Sequence, residues 1–136
     1  MTFDIETLAT INLLVQALLL LTMLVAAYLA KKKQLIRHCN LIRITVLVQL
    51  LTIFPTMLPA MLGYLKNPRQ PAFQAEMLLH HSSGILVILL WIYINLAFMG
   101  RVKLVGRLTT YMRAALMMWV LTFLLGLYLY FQIYVL

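Results

Sequence analysis

Three histidines are the first side chains to weigh in this chain: His38, and the adjacent pair His80 and His81. A neutral imidazole offers one ring nitrogen lone pair, which ligates transition metals and haem iron well. Neighbours on a helix point about 100° apart, so His80 and His81 are badly placed to grip one ion together. The single cysteine, Cys39, excludes an intrachain disulfide framework and a thiolate zinc site. Nine methionines allow adaptable packing and offer a copper–thioether site as an alternative. No Ser–His–Asp set, phosphate-binding glycine loop or metalloprotease motif occurs, so a free-standing enzyme is not expected.

A second group of polar residues falls on helical spacings. His38, Thr45, Gln49, Thr52 and Thr56 follow one another at steps of seven, four, three and four, which puts them on one helix face. Asn12 and Gln16 stand at i and i+4, and His81 and Asn95 two heptads apart; Thr122 and Gln132 lie further on. In a membrane such side chains turn away from lipid toward neighbouring helices, where a hydrogen bond is worth ~0.6 kcal/mol. Depth matches Gln49 with Asn95, and Asn12 and Gln16 with Thr56 and His81. The same residues define a possible polar pocket, or the path of a small transporter or channel subunit.

The elements that carry these residues are set by composition. Of 136 residues, 65% are hydrophobic and 10% charged, against roughly 25% charged in soluble domains. Crossing the hydrocarbon core takes about 20 apolar residues in a helix. Four stretches qualify: Thr7–Ala30, Leu41–Leu65, Ser82–Met99, whose helix should begin near Phe73, and Ala114–Leu136. The short links between them leave one transmembrane domain over residues 1–136. The predicted fold is an all-α, four-helix up-down bundle. Lys66–Ala72, with Asn67, Pro68 and Pro71, must break helix. Gly100–Arg113 is expected to be partly an amphipathic helix, with Leu104, Leu108 and Tyr111 toward the membrane. Pro55 and Pro59 predict a kink in the second span, and the hydroxyls of Thr52 and Thr56 are close enough to serve the carbonyls freed there.

Charge gives the orientation. Lys31, Lys32, Lys33, Arg37 and Arg43 cluster in one short stretch, and Arg101, Lys103, Arg107 and Arg113 in another; the acids Asp4, Glu6 and Glu76 lie elsewhere. Segments rich in Lys and Arg stay cytoplasmic, which places both termini outside. The net charge of +8 is then explained by anionic headgroups, and no nucleic-acid partner is expected. The first span follows acids, not a basic n-region, and runs straight into Lys31–Lys33, so it is expected to be a retained span. His38 lies on the inner side and His80/His81 on the outer, separated by roughly 30 Å of hydrocarbon, which excludes one iron held by both. With no carboxylate inside a span, a proton-coupled multidrug antiporter is disfavoured.

In the last span Arg113, Trp119, Gly126 and Tyr130 form the spacing R-x5-W-x6-G-x3-Y. This resembles the last helix of a four-helix bacterial membrane family, domain of unknown function four-twenty, which includes the CtaM-type proteins of cytochrome aa3 oxidase maturation. His38 resembles the histidine that opens one family helix. His81, after Leu78, Leu79 and His80, resembles the one at the outer start of the next. The similarity runs over about Gln34–Tyr130. The family pattern carries two more histidines, where this chain has Leu58 and Pro59, and Leu108, so a four-imidazole site is incomplete here. The resemblance implies a multi-pass protein of the bacterial inner membrane that acts as an accessory or assembly factor for a membrane redox complex such as cytochrome oxidase. It makes His38 and His81 the candidate haem- or copper-binding residues, with a haem- or metal-binding protein as the alternative function. Trp119 and Arg113 are its structural signatures.

Overall fold

The computed structural model describes residues 5–66 and 74–136. Four helices account for nearly all of it: α1 (Ile5–Lys31), α2 (Leu35–Lys66), α3 (Gln74–Phe98) and α4 (Leu108–Tyr130), the last continued by a π-helical turn at Phe131–Val135. Each of the four is long and apolar enough to cross a membrane. The turn-forming cluster at Asn67, Pro68 and Pro71 lies outside the described residues.

The chain divides into two compact units, residues 1–71 and 72–136, and the described part of each is an antiparallel helical hairpin. α1 contains neither Gly nor Pro, and nothing in its Leu-, Ala- and Val-rich run interrupts the i→i−4 ladder. It stops because the backbone of Lys33 turns left-handed (φ 61°). The Lys33 amide then donates to the Ala30 carbonyl (2.9 Å) and the Gln34 amide to the Leu29 carbonyl (3.0 Å), the two bonds of a Schellman cap. The second hairpin turns in the same way. Gly100 is left-handed (φ 70°), its amide donates to Ala97 and that of Arg101 to Leu96, at 3.0 and 2.9 Å. Gly takes this conformation freely, whereas Lys pays about 1–2 kcal/mol for it.

Two helices extend beyond the apolar runs read from the sequence. α2 begins at Leu35, ahead of Leu41, so Arg37 is helical along with His38 and the first corner is only Lys32–Gln34. α4 begins at Leu108 and takes up Tyr111 and Arg113, leaving residues 99–107 as a non-helical corner. Tyrosines from both helices hold that corner. Tyr93 donates its phenol to the Lys103 carbonyl (3.4 Å) and Tyr111 to that of Val105 (2.6 Å), with the two rings 5.3 Å apart.

α2 remains helical through Pro55 and Pro59. The hydroxyl of Thr52 bonds the carbonyls of Val48 and Gln49, and that of Thr56 bonds Thr52. These are not the carbonyls of Leu51 and Pro55 that the prolines free. A threonine side chain reaches back to i−3 and i−4, and neither freed carbonyl stands at that offset.

In the second hairpin Val87, Trp91 and Ile94 on α3 and Ala115, Trp119 and Leu129 on α4 are buried. Trp91 and Trp119 meet edge to face at 6.3 Å, the arrangement that aromatic quadrupoles favour. The outer faces carry large apolar side chains that are more than half exposed, among them Leu14, Leu18, Leu21, Leu51, Phe54, Leu89 and Leu121. So much apolar surface is foreign to a water-facing monomer and is compatible with a multi-pass membrane protein.

Candidate functional site

The polar residues line the inner seam of each hairpin. On α1, Asn12, Gln16, Leu19, Met23 and Ala26 recur at steps of four, three or four and share one face. Both ends of this stripe touch α2. Thr56 donates to Asn12 Oδ1 (3.3 Å), and His38 Nδ1 donates to the Ala26 carbonyl (2.7 Å). Between them Thr22 and Thr45 bring their hydroxyls to 3.1 Å. The polar line read on α2 from His38 to Thr56 is therefore its α1-facing seam.

The threonine pair has more acceptors than protons. Thr22 also reaches the Leu19 carbonyl (2.7 Å) and Thr45 that of Leu41 (2.8 Å). Each hydroxyl carries a single proton, so one threonine bonds its own helix while the other bonds across. Thr45 is 2% exposed, so this exchange is sealed from the surroundings.

The second seam carries a cluster of hydrogen bonds. His80 Nδ1 donates to the Thr122 carbonyl (3.0 Å), the Thr122 hydroxyl has its one proton between Ser83 Oγ (3.0 Å) and the Met118 carbonyl of its own helix (2.8 Å), and Ser83 donates to the His80 carbonyl (2.8 Å). The imidazole is 7% exposed, and Gly126 makes room for it. A Cβ at that position would stand 2.8 Å from His80 Cε1.

All three histidines use their rings alike. His81 Nδ1 donates to the Met77 carbonyl one turn back (2.8 Å), as His38 and His80 donate to Ala26 and Thr122. A carbonyl only accepts, so each Nδ1 bears a proton, and in the neutral ring the lone pair then falls on Nε2. Ligating histidines in metal sites commonly show the same pattern, with the second nitrogen fixed by a carbonyl. Among the described residues no three His, Cys, Asp or Glu side chains come together as a metal cage. The rings of His80 and His81 stand 5.4 Å apart and nearly perpendicular.

The site residues read from the sequence thus take different places. His38, Asn12, Thr52 and Thr56 lie in or beside the first seam. Gln16 Nε2 and Gln49 Oε1 are buried there without a hydrogen-bond partner among the described residues. Asn95 is exposed and bonds the Trp91 carbonyl of its own helix (2.8 Å). His81 is half-buried and stays on its own helix, while His80 makes the interhelical contact. Sequence reasoning passed over His80, Ser83 and Gly126 as a set. The available signal was a small residue on each side of an apolar seam, one helical turn from a histidine.

The chain was compared with protein-family models, curated proteins and solved structures, and none of the three yields a match.

Proposed function

We propose that the chain is a small multi-pass protein of the bacterial cytoplasmic membrane, with both hairpin corners in the cytoplasm and both termini outside. We read it as a non-catalytic accessory or assembly factor of a membrane redox complex, with a haem-copper oxidase as the leading partner. The observation that carries this reading is the R-x5-W-x6-G-x3-Y spacing. Its Trp119 and Gly126 are the residues that close the second hairpin, one against Trp91 and the other beneath His80. These two positions of the motif therefore answer to a packing requirement in this chain. Purification in mild detergent from its native membrane tests the reading. Co-elution of oxidase subunits without pigment is expected, and a chain that elutes alone argues against it.

A haem- or metal-binding protein is the second reading. It is favoured by the three Nε2 lone pairs, each held in the ligating tautomer by a carbonyl on the other side of the ring. A reduced-minus-oxidised visible spectrum of the same preparation decides between the two. A haem band moves the second reading ahead.

A further inference from the structure

We propose that the α1–α2 corner is a docking site for anionic phospholipid headgroups, held by Lys31, Lys33 and Arg37. The inference rests on the multi-pass reading of the chain and is independent of the redox partner.

Among the described residues of the first hairpin, no acid stands near the charge concentrated at this corner. Lys31, Lys32, Lys33 and Arg37 are all exposed. The corner holds no acid, and Glu6 sits at the far end of α1, about 40 Å away along the helix axis. Lys32 is partly engaged, with Nζ 5.6 Å from the centre of the Tyr28 ring. Lys31 and Lys33 extend from the corner. Arg37 donates once, from Nη1 to Gln34 Oε1 (3.3 Å). That steadies the guanidinium and leaves most of its fork for a phosphate.

Lys33 gives the corner its particular character. The second corner makes the same pair of capping bonds with Gly100 in the left-handed position. At the first corner a lysine holds that conformation at a steric penalty glycine avoids. Backbone strain retained at an exposed cation points to a use for the cation.

The flanks of the corner decide between a lipid and a free anion. Leu35 and Ile36 are 61% and 80% exposed, and Tyr28 is 57% exposed. Apolar surface directly beside a cation cluster suits a molecule with a phosphate and acyl chains. Free phosphate or an acidic peptide would leave that surface uncovered.

The test is native mass spectrometry of the full chain in detergent, titrated with phosphatidylglycerol and with phosphatidylcholine of the same acyl chains. Selectivity for phosphatidylglycerol is expected. Lys33→Gly should weaken it about fivefold, the effect of one cation near an anionic surface, while the helices melt no lower than before. Lys31→Gln, Lys33→Gln and Arg37→Gln together should weaken it about a hundredfold. The matched second-corner variant, Arg101→Gln, Lys103→Gln and Arg107→Gln, should keep most of the selectivity. The proposal is overturned by equal losses in the two triple variants, or by full selectivity in the first. It also falls if glycerol phosphate or polyglutamate displaces the lipid at equal charge. Protease protection of proteoliposomes separates the two levels of inference. A chain that fails to insert overturns the membrane reading and this site with it. A chain that inserts but shows no selectivity overturns the site alone.

Discussion

Gly126→Ala isolates the contact that closes the second hairpin. The added Cβ would meet His80 Cε1 at 2.8 Å, Nδ1 at 3.4 Å and Nε2 at 3.5 Å. Carbon pairs are comfortable at about 3.5–4.0 Å, so the ring must retreat by roughly 0.7 Å or more. It has little room, being 7% exposed. Its Nδ1 is 3.0 Å from the Thr122 carbonyl, and that retreat takes the bond past its useful range. The Thr122 carbonyl still accepts the helix bond from residue 126, so the stranded group is the imidazole N–H. A buried donor left unpaired costs about 1–3 kcal/mol. Alanine returns about 1 kcal/mol through its better helix propensity. The net expectation is a loss of about 0–2 kcal/mol.

The decisive measurement is a double-mutant cycle with His80→Ala, using SDS-induced unfolding in mixed micelles followed by tryptophan fluorescence. Trp91 and Trp119 lie on the same seam and report on it. With the ring removed, Gly126→Ala should be neutral or stabilising. The coupling between the two sites should then be at least about 1 kcal/mol. An equal effect of Gly126→Ala in both backgrounds, to within about 0.5 kcal/mol, would refute the steric argument.

Three further substitutions probe the remaining contacts. Thr45→Val keeps the shape of a side chain that is 2% exposed and removes its bond to Thr22, so it should cost ~0.6 kcal/mol in the same unfolding assay. Ala26→Leu puts a branched side chain where Ala26 is 0% exposed and faces His38, and should destabilise the first hairpin by about 1–3 kcal/mol. Tyr111→Phe deletes the 2.6 Å bond to the Val105 carbonyl and should speed tryptic cleavage at Arg101, Lys103 and Arg107. Unchanged cleavage there would mean that the corner does not depend on this phenol.

The four helices were legible because long apolar runs favour helix, and all four runs form helices long and apolar enough to cross a membrane. The helix limits were less legible for the same reason. Lys31–Asn40 read as a basic link because it is polar, yet charge does not end a helix, and α2 already includes Arg37. The end of α1 lies in the backbone of Lys33, and a lysine gives no sign of a left-handed turn, whereas Gly100 does. The polar face of α2 was legible from its spacing, and depth alone brought Thr56 to Asn12. The cluster of His80, Thr122 and Ser83 was not legible. Serine and threonine usually bond their own helix, so their types do not say when one will reach across.

His38 and His80 solve one problem in the same way. A polar side chain on an apolar seam needs a partner, and the facing helix offers few polar side chains. It does supply carbonyls, each with a second lone pair beyond the one used by its own helix. An imidazole can take that lone pair only where the facing residue lets it approach, and the residues found there are Ala26 and Gly126. In the neutral ring the bond fixes the tautomer and leaves the lone pair on Nε2, so a structural role and any ligating role of His38 would fall on different ring atoms. Two substitutions separate them. Asparagine can place its amide N–H near the position of Nδ1, and glutamine can place its own near Nε2. If His38 only joins the helices, His38→Asn should stay within about 1 kcal/mol of the parent, with His38→Gln the less stable. If His38 also binds haem or metal, His38→Asn should keep the fold and lose the pigment or metal. An asparagine variant that unfolds as readily as the glutamine one would show that the Ala26 carbonyl does not hold the ring.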